Sequence, residues 1–137
     1  MKLFIAELGS DKMLHFYENE DDRNKIVSAL APVEARSAIY RFRRRRLLSP
    51  KQMSSAIERL VAEMGHIVQQ PIDLIVLEVS GLLIDRHQLR SLDAIQLAGA
   101  IIARDMLVAR DMRFIASDKE LLNVARAEGF DIWDPAA

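Results

Sequence analysis

Four short apolar runs, each separated from the next by a segment with helical ends, constrain the fold of this chain more than anything else in it. "KIVS" (25–28), "HIVQQPI" (66–72), "RFIAS" (113–117) and "FDIWDP" (130–135) read as strands, the second and fourth stopped by Pro71 and Pro135. Between them lie helical patterns. A long helix is predicted over 29–48, with Pro32 tolerated because it falls in the first turn. In "SPKQMSSAIERLVAEMG", Ser49 caps, Pro50 takes the first position and Gly65 closes. Asp73 caps "LIVLEVSGLLID", and Ser91 caps "LDAIQLAGAIIARDMLVA", whose small residues allow close packing. "SDKELLNVARAEG" carries a capping box of Ser117 with Glu120 and ends at Gly129. Parallel strands need crossovers, so strands alternating with helices predict an α/β fold with a mostly parallel sheet. Upstream, "MKLFIAELGSD" reads as an amphipathic helix with Leu3, Phe4 and Leu8 on one face. Ser10 then caps a second helix carrying Met13, Leu14, Phe16 and Tyr17.

The 137 residues suit one domain with a single sizeable core, and no linker or repeat divides them. A formal net charge of −1 gives no global pull toward nucleic acid or membrane. The absence of cysteine excludes disulfides and thiolate metal sites and fits a reducing cytosol, so a cytoplasmic protein is expected. No signal peptide is visible, and the most apolar windows are too short and interrupted to span a bilayer.

No phosphate-binding Gly-rich loop, His-x-x-x-His pair or nucleophile elbow is present. His15, His66 and His87 have no ligand spacing and read as surface or core-edge residues. What remains is a set of acids at helix starts: Glu34, Asp93 and Asp118. Each is accounted for, taken singly, by the helix dipole, which stabilises a first-turn carboxylate by about 0.3–1 kcal/mol. The contexts "ALAPVEARSAI" and "SLDAIQLAGAII" add small apolar neighbours, which implies partial burial of Glu34 and Asp93. Buried carboxylates need a cation or hydrogen bonds to stay ionised. Oxygen-only donors suit Mg²⁺ or Mn²⁺, and a carboxylate-held divalent ion is a common device for phosphodiester hydrolysis.

"SLDAIQLAGAII" followed by "RFIASDKELLNVARAEGFDIWDP" resembles the C-terminal half of a PIN domain, the fold of the VapC toxins of toxin–antitoxin pairs. "VSALAPVEARSAI" resembles that family's strand-then-helix segment bearing a glutamate. The resemblance covers essentially the whole chain and is weakest over 52–90. It implies a three-layer α/β/α sandwich around a short, mostly parallel sheet. It also implies metal-dependent cleavage of RNA, with Glu34, Asp93 and Asp118 as catalytic, metal-binding acids. A cognate antitoxin and a homodimer are its implied partners. The family's earliest acid ends a first strand, directly before a helix similar to "KLFIAELGSD". By that alignment the chain is expected to be N-terminally truncated, lacking the first strand and first acid. The competing readings are a degenerate PIN module that binds RNA or sequesters an antitoxin, and an unrelated α/β protein whose acids serve helix dipoles.

"YRFRRRRLL" puts Arg41, Arg43, Arg44, Arg45 and Arg46 at the end of the helix that bears Glu34. They complement the helix's negative pole, or they contact RNA phosphates or an acidic antitoxin segment. About ten residues of helix, roughly 15 Å, separate them from Glu34.

Overall fold

The computed structural model describes residues 3–5, 25–107 and 112–134. Five strands form one parallel sheet in the order β3-β2-β1-β4-β5. They are β1 (Leu3–Ile5), β2 (Lys25–Ser28), β3 (Val68–Gln70), β4 (Arg113–Ile115) and β5 (Asp131–Trp133). The helices are α1 (Ala31–Arg44), α2 (Pro50–Met64), α3 (Leu74–His87), α4 (Ser91–Leu107) and α5 (Lys119–Ala127). All four strands expected from the sequence are present.

The start of the chain corrects the sequence reading. Residues 3–5 are not helical: they form β1, the middle strand, and Ala6–Asp11 and the predicted second helix lie outside the described residues. The position expected to be empty for want of a first strand is therefore filled. Leu3, Phe4 and Ile5 stand in register with Lys25, Ile26 and Val27 on one side, and with Arg113, Phe114 and Ile115 on the other. The reason is non-local. A helix of one or two turns without a cap is marginal, whereas an extended segment between two strands places its backbone groups in ladders on both sides.

Alternating side chains send the sheet's apolar residues to two cores. Ile26 and Phe114 pack with Val76 and Leu83 of α3, Leu97 of α4 and Leu121 of α5. Val27 and Ile115 face the other way, against Ala35 and Ile39 of α1 and Leu60 and Met64 of α2. Each layer of helices thus covers one face, which is the expected α/β/α sandwich.

Local signals set most helix ends. Ser49 Oγ accepts from the Gln52 amide and Gln52 Oε1 accepts from the Ser49 amide, a complete capping box for α2. Asp73 caps α3 through the Val76 amide. Gly129, with φ of +96°, turns the chain out of α5 into β5, a conformation that L side chains rarely adopt. Two caps differ from expectation. Ser91 is already the first residue of α4. The cap of α5 is Asp118 rather than Ser117, because Asp118 Oδ1 accepts from the Leu121 amide, so the Ser117–Glu120 box does not form.

Candidate functional site

In the order 3-2-1-4-5 the connections run outward on one side of β1 and then reverse to β4, so a crevice opens beyond the carboxyl ends of β1 and β4. A cleft of about 520 Å³ there is lined by Glu34, Arg90, Ser91, Leu92, Asp93, Gln96, Asp118 and Leu121. All three acids singled out in the sequence meet in it, although 59 residues separate Glu34 from Asp93 and 25 separate Asp93 from Asp118.

Each arrives by a different route. After β2 the Leu30 amide donates to Ser28 Oγ, and α1 begins with Pro32 and Glu34 in its first turn. At Gln88 a left-handed residue ends α3, and α4 starts three residues later with Asp93 in its first turn. After β4, Asp118 divides its oxygens: Oδ1 caps α5, and Oδ2 lies 3.7 Å from Arg90 Nη2. The Asp93 Oδ2 stands 3.9 Å from Arg90 Nε, so one largely exposed guanidinium serves both aspartates. Burial pushes the Asp93 carboxyl above its ordinary value of 3.8, with the Asp118 charge adding to the rise and Arg90 opposing it.

Sequence reasoning placed three of the eight lining residues and missed, among the others, the arginine and the amide, Arg90 and Gln96. The signal for Gln96 was present: a single amide interrupting the apolar run "AIQLAGAII", one turn beyond Asp93. Its Nε2 donates to Glu34 Oε1 at 2.6 Å.

The run does not lie wholly on α1, which ends at Arg44 with Arg45 as its C-cap and Arg46 beyond it in a left-handed conformation, and none of its five arginines lines the cleft. Arg41 Nη1 donates to Ser37 Oγ at 3.1 Å and Arg43 Nη1 to the Leu48 carbonyl at 3.4 Å, while the Arg45 amide donates to the Arg41 carbonyl. At least part of this run finishes its own helix.

The donor set has the chemistry of a hard divalent cation: carboxylate oxygens only, two of them coupled through one guanidinium, and a third acid in the same cleft. Among the described residues, no three acids or histidines stand close enough to share an ion. Asp93 and Asp118 share the neighbouring Arg90, and Glu34 lines the same cleft.

No protein-family model and no curated protein sequence matches the chain. Solved structures do. A chain of FitAB bound to an IR36 DNA fragment superposes with a TM-score of 0.65 at 15% identity, covering 100% of this chain and 96% of the other. A chain of FitAcB from Neisseria gonorrhoeae superposes with a TM-score of 0.63 at 15% identity, over 99% of each chain. Likeness at that identity speaks to architecture, and what it establishes, together with the sheet order and the layered helices, is that this protein has a PIN-like α/β fold.

Proposed function

We propose that the protein is a metal-dependent endoribonuclease, the VapC-like toxin of a toxin–antitoxin pair. The observation that carries this reading is the meeting of Glu34, Asp93 and Asp118 in one cleft at the switch point of a PIN-like sheet. Asp93 and Asp118 would hold Mg²⁺ or Mn²⁺, with Glu34 as a further acid. Such an ion supplies charge neutralisation at the phosphate and a water acidic enough to attack it near neutral pH. The chain's own part is to hold the carboxylates close despite their repulsion. Burial of Asp93 strengthens its preference for a cation over water, and the Asp118 cap fixes one oxygen so that the other faces the cleft. Arg90, at the cleft mouth, is placed to meet a phosphate once the aspartates have another cation. The first carboxylate after β1 in the sequence is Glu7, and we take it as the candidate for the family's earliest acid.

The experiment is cleavage of an RNA panel with Mn²⁺ or Mg²⁺ by the wild-type chain and by Asp118→Asn. Asparagine also caps helices, so the fold is kept. Cleavage by the wild type and none by the variant supports the reading; equal residual activity in both sinks it. One observation favours a second reading, a degenerate module that binds RNA or an antitoxin without cutting: no three described acids close around a common point. RNA binding with no cleavage in either metal would select it.

For partners, we assign the exposed side of α3, where Leu74, Ile75, Leu77 and Leu82 flank the acids Glu78 and Asp85, to a homodimer. Gly81 lies within that face and has open space above it, which lets a second helix approach closely. Leu82→Glu should convert a dimer to a monomer in analytical ultracentrifugation. A dimer that survives the substitution would leave this face to the antitoxin.

A further inference from the structure

The positive charge of this near-neutral chain is concentrated in one place. Between Ala35 and Ile57 there are seven cations and no acid, although the whole chain has 19 lysines and arginines against 20 acids. Among the described residues, no carboxylate pairs with any of the seven. Ending a helix accounts for only part of this charge. Arg41 and Arg43 are tied to Ser37 and to the Leu48 carbonyl near the negative pole of α1. Arg36, however, stands in the N-terminal half of the helix, where a cation gains nothing from the dipole. Arg46 has φ of +59°, a left-handed conformation that glycine or asparagine would adopt at less cost. Cations kept at these two positions call for a use outside helix termination.

The exposed side of α1 supplies one. Arg36, Tyr40 and Arg44 follow at four-residue spacing and share one stripe, opposite the buried Ala35, Ala38 and Ile39. All three are exposed, the tyrosine at 43%. A ring turned away from the core thus stands one helical turn from a guanidinium on either side. Glu34, two residues before Arg36, lines the cleft, so the stripe begins at the cleft and leads to the arginine turn. From Arg36 to Arg44 it is about 12 Å long at the rise of an α-helix.

Cations with an aromatic between them are the working parts of a surface for single-stranded nucleic acid: guanidiniums meet phosphates, and the ring stacks on a base. An acidic protein segment would use the arginines but has no need of the ring. A duplex keeps its bases stacked on one another and offers none to it. We infer that the outer stripe of α1 is a track for single-stranded RNA, with Tyr40 stacking one base and Arg36 and Arg44 holding phosphates on either side. The strand passes Arg45 and Arg46 at one end and reaches the cleft at the other. This rests on the reading of the protein as one that acts on RNA, and adds a binding surface outside the cleft.

The test uses the full chain in metal-free buffer, so that binding is read without cleavage. A short fluorescent oligoadenylate is titrated by anisotropy, and thermal midpoints are recorded in parallel. Tyr40→Leu keeps apolar bulk and removes the ring; it should weaken binding about tenfold, within the range for loss of one stacked base. Tyr40→Phe keeps the ring and should bind within about twofold of wild type. Arg36→Gln with Arg44→Gln should lower the salt slope by about 1.4, two single-strand phosphates at about 0.7 each. All three side chains are exposed, so the variants should keep the wild-type thermal midpoint.

Wild-type affinity in Tyr40→Leu would overturn the proposal, as would an equal loss in Tyr40→Phe or an unchanged salt slope. If Tyr40→Leu instead turned a dimer into a monomer with RNA affinity intact, the stripe would belong to a second copy of the chain. Polyglutamate that binds as tightly as the RNA, with no dependence on Tyr40, would give it to an acidic protein partner. Tyr40-dependent RNA binding by a chain that cuts no RNA in either metal would overturn the nuclease reading and leave this inference standing.

Discussion

Asp93 and Glu128 are both partly buried acids near helix ends, and their surroundings drive their acidities in opposite directions. Glu128, at the C-terminal end of α5, accepts from Arg86 and, at 3.0 Å, from His87, both in the last turn of α3. Burial alone would raise its carboxyl, but the hydrogen bonds from His87 and Arg86 outweigh it and hold the group below its ordinary value of 4.5. Nearby, Arg104 donates to the Glu128 carbonyl and lies 4.3 Å from the centre of the Phe130 ring. That cluster has internal cations in contact and works as a clamp between α3, α4 and α5. At the cleft, Asp93 has the like charge of Asp118 near it and, among the described residues, the exposed Arg90 at 3.9 Å in compensation. An acid saturated by its own chain stabilises the fold; an acid left under-compensated is one that can take a ligand.

The largest expected effect breaks the cleft side of this comparison. Asp93→Asn or Asp118→Asn should lower RNA cleavage by about a thousandfold, since metal stabilisation of the transition state is worth several kcal/mol. Circular dichroism should show an intact fold. Glu128→Gln should do the reverse, costing about 1–2 kcal/mol of stability in urea unfolding after allowance for the exposure of Arg86, with Mn²⁺ affinity unchanged.

The two acids should also separate by pH. Glu128, with its lowered folded value, contributes stability above pH 4.5 that is lost as the pH falls through that folded value. Asp93, raised above 3.8, costs the metal-free protein stability as pH rises through its folded value. Thermal midpoints across pH should therefore show a flattened acid limb in Glu128→Gln, and a higher plateau at neutral pH in Asp93→Asn. Parallel curves for the two variants would undo the distinction.

A smaller effect is expected from the arginine run. Replacing Arg41, Arg44 and Arg45 by glutamine should reduce the salt slope of RNA binding by about 2 if they contact phosphates, and an unchanged slope would confine them to ending α1. The smallest concerns Arg90. Arg90→Ala should tighten Mn²⁺ binding about two- to fivefold, because an exposed ion pair worth under ~1 kcal/mol no longer competes for the aspartates.

The sequence by itself determined whatever depends on residues within a turn or two of one another. The Ser49 cap, the Asp73 cap, Pro50, Gly129 and the strands at Lys25–Ser28, Val68–Gln70, Arg113–Ile115 and Asp131–Trp133 were all legible, as was the partial burial of Glu34 and Asp93. Tertiary structure decided the rest. "LFI" is apolar enough for a helix face or a strand, and only β2 and β4 on either side make it the central strand. Asp118 took the cap from its neighbour Ser117, a choice between adjacent residues that spacing does not resolve. The convergence of Glu34, Asp93 and Asp118 follows from where the sheet order reverses. Pairing Gln96 with Glu34 joins helices on opposite faces of the sheet, a contact that no local pattern encodes.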